Sequence, residues 1–400
     1  MTTATLNLKT LDQLDYKGKR VLARVDYNVP LDGSRVTDDT RIRETLPTLR
    51  KLVAAGCRVV LMAHLGRPKG KVNPKYSLKP AAETLAALLG GTVKFSEDCV
   101  GPAADAAVAS LAPGEVILLE NLRFHPEEEA NDPAFSGKLA AHGDVFVQEA
   151  FGALHRAHAS TAGVAALLPG AIGGLVAREL EFLTKVAEKP EHPYVAVLGG
   201  AKVSDKLVVC QKLLEKVDTL LIGGGMAFTF LKAQGIGIGK SLLEAERLDD
   251  ARHILDEARK RGVEILLPSD HVAAPEFKAD APATVTPAQE VPEGLMGLDI
   301  GPRTRELFAA KLKTAKTVFW NGPMGVFEMP AFAAGSKAVA ESMAAATAAG
   351  TVTVVGGGDS LAVLAQTGLG PKMTHCSTGG GASLELLEGK LLPGLKALSR

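Results

Sequence analysis

Short apolar, β-rich runs recur along the whole of this sequence, at 20–25, 58–63, 115–119, 145–147, 194–198, 219–222, 263–267, 317–320 and 351–355. Between them lie helical patterns at 80–89, 175–187, 245–261, 302–312 and 332–349. Strands alternating with helices form βαβ units, which build a mostly parallel sheet covered by helices on both faces. The runs are apolar nearly throughout instead of alternating with polar residues, as strands buried on both faces must be. Almost every run closes on polar or glycine residues: Asp26-Tyr27-Asn28, His64-Leu65-Gly66-Arg67, Glu120-Asn121-Leu122-Arg123, Gly223-Gly224-Gly225, Asn321-Gly322-Pro323 and Gly356-Gly357-Gly358-Asp359-Ser360. Open parallel sheets bind ligands at the carboxyl ends of their strands, so chemistry is expected there.

Those ends differ in character along the chain. In the first half Arg24, Arg41, Arg67, Arg123 and Arg156, with His64, His155 and His158, lie in or just after strand ends. Guanidinium groups hold carboxylate and phosphate through two parallel hydrogen bonds, so a converging set suits a small, multiply anionic ligand. Any one of them alone reads as an ordinary surface arginine. The set reads as a site, with Asp26 and Asn28 beside it to orient hydroxyls or fix the arginine forks. The tract His155-Arg156-Ala157-His158 lacks partners at metal-ligand spacing, which argues against zinc or iron there.

The second half is marked by glycines: Gly199-Gly200, Gly223-Gly224-Gly225, Gly356-Gly357-Gly358 and Gly379-Gly380-Gly381. One cluster would be a turn, but repeated clusters at strand ends suit a nucleotide laid against main chain. The stretch 194–206 is a strand-like run, two glycines, then Lys202 and Lys206. It reads as a strand feeding a helix N-terminus that favours an anion, with both lysines on one helical face. The plainer reading is a tight turn with two solvated lysines. Asp359 with Ser360 offers hard oxygen ligands for Mg²⁺. No Gly-x-x-x-x-Gly-Lys-Ser/Thr occurs, which excludes a P-loop, and no Gly-x-Gly-x-x-Gly opens a helix after a first strand, which counts against a dinucleotide dehydrogenase.

Four hundred residues, 46% of them hydrophobic, call for two domains, each with its own core. The division falls within 168–193, where glycines and prolines flank a charged amphipathic helix suited to be a hinge. A formal net charge of zero argues against a nucleic-acid binder or a polybasic membrane anchor. With no signal-like N-terminus and no membrane-spanning apolar run, a soluble cytoplasmic protein is expected. Cys57, Cys99, Cys210 and Cys376 are scattered and read as reduced, mostly buried thiols. The segment 268–292 reads as a surface excursion. Glu127-Glu128-Glu129 reads as solvated loop and receives no role.

An arginine-lined anion site, a glycine-lined nucleotide site and a hinge between them describe a kinase that closes to align donor and acceptor. The segments Arg24-Val25-Asp26-Tyr27-Asn28-Val29-Pro30, His64-Leu65-Gly66-Arg67-Pro68 and 198–206 closely resemble the signatures of the phosphoglycerate kinase family. So do Trp320-Asn321-Gly322-Pro323-Met324-Gly325-Val326-Phe327-Glu328 and Ser377-Thr378-Gly379-Gly380-Gly381-Ala382-Ser383.

The resemblance, from about Lys17 to about Leu395, implies an α/β fold of two doubly wound, Rossmann-like parallel-sheet domains separated by a cleft and joined by a hinge helix. The domains would be 1–173 with the tail 389–400, and 190–388, with 174–189 as the helix between them. It implies reversible phosphoryl transfer from 1,3-bisphosphoglycerate to MgADP, in glycolysis and gluconeogenesis, by a monomer. Carried over residue by residue, the phosphoglycerate site falls on Asp26, Tyr27, Asn28, Arg41, His64, Leu65, Gly66, Arg67, Arg123 and Arg156. The ATP/ADP site falls on Gly200, Ala201, Lys202, Lys206, Gly225, Gly297, Asn321, Glu328, Gly357, Gly358, Asp359 and Ser360. Glu328 would meet the ribose and Asp359 the Mg²⁺. Arg41 and Lys206, helped by main-chain N–H groups near Gly358 and Gly381, would stabilise the transferring group. The chain departs from the family at Gln148-Glu149, where Asn-Asp is common, which bears on closure or hinge packing, and at Ser360, where threonine is common. Two other readings are a non-catalytic nucleotide- or phosphoglycerate-binding paralogue and a kinase acting on a different carboxylate.

Overall fold

The computed structural model describes residues 6–399. They divide into two units, one running to Glu181 and resuming at Lys390, the other comprising Phe182–Gly389.

The first unit is built on six parallel strands: β1 (Arg20–Arg24), β2 (Arg58–Met62), β3 (Val93–Ser96), β4 (Val116–Leu119), β5 (Val145–Gln148) and β6 (Gly170–Ile172), in the order β3-β4-β2-β1-β5-β6. Its central strand, β1, pairs Val21 with Val59 on one side and Val145 on the other. Alternate residues point to opposite faces. Val21, Ala23, Val59, Leu61 and Leu118 therefore enter one core with Ile42, Leu49, Leu52 and Leu85 of the helices Thr40–Ala54 and Lys79–Leu89. Leu22, Val60, Ile117 and Phe146, equally inaccessible, fill the other face. Burial on both sides is why these runs carry no polar alternation. Because every strand runs the same way, the segments after β1, β2 and β4 emerge at one edge of the sheet.

The second unit repeats the plan with β7 (Tyr194–Leu198), β8 (Thr219–Ile222), β9 (Glu264–Leu266), β10 (Thr317–Asn321), β11 (Val352–Gly356) and β12 (His375–Ser377), in the order β9-β8-β7-β10-β11-β12. This order reverses between β7 and β10, the position where doubly wound sheets open a crevice for ligand. Val197, Trp320 and Val355 pack with Phe308, Leu312, Val339 and Met343 of the helices Pro302–Thr314 and Ala334–Ala348. The segment expected to be a surface excursion contributes His271–Ala274 and Thr284–Val285 to a small antiparallel sheet with Met296–Ile300. His271, Ala273 and Ala274 are buried in it, so it is partly a wall of the unit. Among the described residues, no helix is long and apolar enough to cross a membrane.

Gln148 and Glu149, the departure noted above, are both fully buried. Gln148 Oε1 accepts from the Ala150 N–H at 3.1 Å, while its Nε2 finds no hydrogen-bond partner among the described residues. The longer Glu149 side chain reaches the start of the helix Gly174–Glu188, where its carboxylate accepts from the Leu175 N–H at 3.1 and 3.2 Å. The Gly174 N–H goes to Thr48 Oγ1 at 3.1 Å. Two donors of the first turn, which no helical carbonyl can reach, are thus satisfied. A Cβ at Gly173 would stand 2.0 Å from Glu149 Oε2, so the close approach depends on glycine. Burial pushes the Glu149 carboxyl up to about 7, against the opposing pull of the bonds from Thr48, Leu175 and Val176. An acid raised in this way holds its proton better folded than unfolded. The stability it contributes is full below about 4.5, the ordinary value, and is lost as pH rises through about 7. Glu149→Gln, nearly isosteric and uncharged, is expected to flatten the stability–pH curve across that window. Equal slopes for both proteins in denaturant titrations would refute the role of this carboxyl.

Candidate functional site

In the first unit the strand-end residues converge through main chain and carboxylates. Arg41, in the first turn of the helix Thr40–Ala54, donates from one guanidinium nitrogen to Asp26 Oδ1 at 3.0 Å and to the Asn28 carbonyl at 3.3 Å. Asn28 Oδ1 accepts from the Gly66 N–H at 2.9 Å, and Arg123 donates to the Gly66 carbonyl at 2.9 Å. The turns after β1, β2 and β4 are therefore stitched together. Gly66 has φ +61°, and a Cβ there would stand 2.5 Å from the Tyr76 ring, so this turn requires glycine.

Positive charge accumulates around these turns. Burial lowers the pKa of Arg123, and Arg156 and Arg67 lower it further while Glu129 and Glu128 resist. Burial also holds His64 well below the ordinary histidine range, with Arg24, Arg123, Arg41 and His158 acting in the same direction. His64 is neutral at physiological pH. His158 is pushed down to about 4, by burial first and then by Arg123 and Arg24. A cluster of cations that suppresses its own histidines is under-compensated and suits an anion. Arg67 and Arg156 are exposed and free to reach a ligand.

Not every expected side chain faces this edge. Tyr27 is inaccessible, with its hydroxyl 2.9 Å from Thr45 Oγ1, and Leu65 lies in the core. Both offer a ligand main chain only. The acidic run also departs from expectation. Glu127 and Glu129 are exposed, but Glu128 is 1% exposed and hydrogen-bonded to Ser160, so it is no solvated loop residue.

In the second unit a cavity of about 430 Å³ opens at the ends of β7, β8 and β10. Gly200, Ala201, Gly225, Gly297, Glu328 and Asp359 line it. Gly200 has φ +103°, and a Cβ there would meet only the flexible Lys206 side chain, at an ordinary contact distance of 3.7 Å, so its main chain is left as a surface for a ligand. Other glycines serve the fold. A Cβ at Gly199 would lie 2.1 Å from the Pro323 carbonyl oxygen, one at Gly322 2.3 Å from the Gly199 oxygen, and one at Gly224 2.7 Å from the Gly200 nitrogen. Three strand-end turns thus pack backbone on backbone to make the cavity floor. The apolar walls, Leu242, Phe277, Met296 and Val326 among them, escaped the sequence reading. Their one signal is that Leu242 and Phe277 are large apolar side chains left 48% and 59% exposed, which only the folded chain reveals.

The lysines are not on a helix. The helix after β7 begins at Leu207, so Lys202 sits in an irregular turn and Lys206 just before the helix. Lys206 Nζ bonds the Asn321 side-chain oxygen, and Asn321 Nδ2 donates to the Gly356 carbonyl at 2.8 Å, which connects the ends of β7, β10 and β11. Burial lowers the Lys206 ammonium to about 8, against Cys210, Asp205 and Asp359. Ser360 is buried, and its hydroxyl oxygen accepts from the Gly322 N–H at 2.6 Å, so its role is to tie two turns. Gly358 and Asp359 are exposed in the first turn of the helix Gly358–Thr367, and Gly381 is exposed at the start of Gly381–Leu387. Asp299, unforeseen, is buried beside the cavity, accepts from the Gly335 N–H at 2.7 Å and the Ile300 N–H at 2.9 Å, and is pushed up to about 7 by burial.

Among the described residues no two cysteines are joined in a disulfide, and Cys57, Cys99 and Cys210 are buried. Asp98 and His125 lie near Cys99, with metal-capable atoms within 4.8 Å of one another. His125 and Asp98 are already hydrogen-bonded at 2.7 Å, and burial raises the Cys99 thiol well above its ordinary pKa, so the trio reads as a closed hydrogen-bonded pair beside a core thiol.

The family model described as phosphoglycerate kinase matches residues 11–390. The phosphoglycerate kinase of Moorella thermoacetica is 58% identical over 390 residues, which cover 98% of this chain and 98% of that protein. That of Chlorobium phaeovibrioides is 54% identical over 393 residues, covering 98% and 99%. Among solved structures, phosphoglycerate kinase from Coxiella burnetii superposes with a TM-score of 0.88 at 42% identity, and that from Pyrococcus horikoshii with 0.83 at 32%, each covering 98% of both chains. With two doubly wound sheets, a cationic strand edge in one and a glycine-floored cavity in the other, the chain belongs to the phosphoglycerate kinase family.

Proposed function

We propose that this chain catalyses reversible transfer of a phosphoryl group between the acyl phosphate of 1,3-bisphosphoglycerate and MgADP, giving 3-phosphoglycerate and MgATP, as a step of glycolysis and gluconeogenesis. The observation that carries the proposal is the presence in one chain of both halves of that chemistry. One is an under-compensated arginine and histidine cluster at the edge of the first sheet, and the other is a glycine-floored, apolar-walled cavity at the switch point of the second.

In this reading Arg41, Arg67, Arg123 and Arg156 hold the carboxylate and phosphate of the acid, and neutral His64 donates a hydrogen bond. Asp26 and Asn28 orient its hydroxyl. The base lies between apolar walls such as Leu242 and Phe277, Glu328 accepts from the ribose, and main chain at Gly200, Ala201, Gly225, Gly297 and Gly357 borders the nucleotide. Lys202 and Lys206 face its phosphates. Asp359 fits Mg²⁺, because it is an exposed carboxylate on the cavity rim and a hard oxygen ligand. The ion supplies neutralisation of the phosphate oxygens when bound. Arg41, Lys206 and the N–H groups at Gly358 and Gly381 stabilise the charge on the transferring group. Direct in-line transfer requires the acid and the nucleotide to meet, which makes a closing movement part of the proposal. A zero net charge and small-molecule ligands agree with a cytoplasmic monomer that does not bind nucleic acid.

Nothing favours a non-catalytic role: Arg41, Lys202, Lys206 and Asp359 are all present. Calorimetric titration tests the site assignments. Arg123→Ala is expected to weaken 3-phosphoglycerate binding about tenfold or more, the loss of a hydrogen bond to a charged group, and to leave MgADP unaffected. Unchanged acid affinity would move the acid elsewhere.

A further inference from the structure

A buried chain of hydrogen bonds in the first unit runs from Glu128 to His64. Arg24, at the end of β1, is 1% exposed. Its Nε donates to Ser160 Oγ at 2.9 Å, one terminal nitrogen donates to the Val25 carbonyl, and the other meets His64 Nδ1 at 3.0 Å. The Ser160 hydroxyl donates in turn to Glu128 Oε1 at 2.6 Å, and the Ser160 N–H to Glu128 Oε2 at 3.0 Å. Glu128 and Ser160 are as deeply buried as Arg24, and His64 nearly so, which leaves little access for solvent to replace a lost partner.

Arginine is a donor only and does not lose its proton in proteins. The Arg24–His64 contact therefore has one polarity: Nδ1 accepts, and the imidazole proton resides on Nε2. A protonated His64 would set donor against donor. A guanidinium this deeply buried also requires a countercharge. Asp26 is already engaged with Arg41 at 3.0 Å, while both oxygens of Glu128 are directed at Ser160, which holds Arg24. We infer that Glu128 is a positioning residue of the acid site: through Ser160 and Arg24 it locks His64 as the neutral Nε2–H tautomer, a fixed donor for an anionic ligand. The inference rests on the reading of the arginine-lined edge as the acid site. The charged and titratable groups around His64, namely Arg24, Arg41, Arg123 and His158, all disfavour its protonation, so the lock holds across the neutral range.

Two measurements on Glu128→Gln and Ser160→Ala decide it. By ¹⁵N NMR, His64 of the unaltered protein is expected to show an unprotonated Nδ1 and a protonated Nε2, with no titration near neutral pH. Each variant is expected to show mixed tautomers or a titration moved up toward the ordinary histidine range. In steady-state kinetics the KM for 3-phosphoglycerate is expected to rise roughly tenfold, as for loss of one hydrogen bond to a charged group, with the KM for MgATP unchanged. Ser160→Ala removes only the bridge and keeps both charges, so it carries the test if Glu128→Gln does not fold. A folded variant with the unaltered imidazole spectrum overturns the inference, even if KM rises, because the role would then be structural. The NMR measurement needs no substrate. If 3-phosphoglycerate does not bind the unaltered protein, the proposed function fails while the tautomer still decides this point.

Discussion

Lys206→Ala is expected to lower kcat about a hundredfold or more, the usual loss when one preorganised charge-stabilising donor is removed. The ammonium is held by the Asn321 side chain, and Asn321 is itself anchored to the Gly356 carbonyl, so the donor is positioned before any ligand arrives. Burial makes its charge conditional, because its pKa is lowered to about 8. As pH rises through that value the free enzyme loses the cation, so kcat/KM for the nucleotide is expected to fall above about 8. Bound phosphates favour the charged form and raise its pKa, so kcat itself is expected to hold to higher pH. A rate profile flat through this range in kcat/KM, or a Lys206→Ala enzyme with the parent's turnover, would remove Lys206 from the chemistry.

The second large effect is expected at Arg41. Its side chain is 34% exposed, and its carboxylate partner among the described residues is Asp26. Arg41 is partly open to water while Asp26 is 12% exposed, so the pair contributes modestly to folding, on the order of 1 kcal/mol. Arg41→Ala is therefore expected to leave thermal stability nearly unchanged while kcat falls about a hundredfold or more. Arg41→Lys keeps the charge but loses the planar fork, and is expected to recover only part of the rate. Stability and turnover falling together would indicate a structural role, and parent-like turnover in Arg41→Ala would reject the assignment.

The interior of each sheet could be read from the sequence because burial on both faces leaves an unambiguous mark. The runs at 194–198 and 219–222 match β7 and β8 to the residue, and the other expected strands shift by one residue at one end or both. In the two six-stranded sheets the strands that escaped, Val93–Ser96, Gly170–Ile172 and His375–Ser377, lie at the edges, where three or four residues with partial exposure give no long apolar run. The helix Thr40–Ala54 was obscured by Pro47 in its middle. At the site, residue type was legible and direction was not. Tyr27 reads as polar but points into the core, and Glu128 reads as one of three solvated acids but is sealed against Ser160. The glycines were legible as close approach, yet sequence does not say whether ligand or another turn approaches. Gly200 has only the tip of Lys206 at ordinary contact distance, and Gly199 faces the Pro323 oxygen. The wall formed by Leu242 and Phe277 depends on long-range packing, which no local pattern encodes.

The most direct test of the proposed activity is the initial rate of ADP formation by the purified protein with 3-phosphoglycerate and MgATP, with the acyl phosphate removed by a coupling enzyme. Turnover on the order of 1–100 s⁻¹, the range usual for kinases, is the predicted result. Absence of ADP formation above background from a folded protein that still binds both ligands would contradict it.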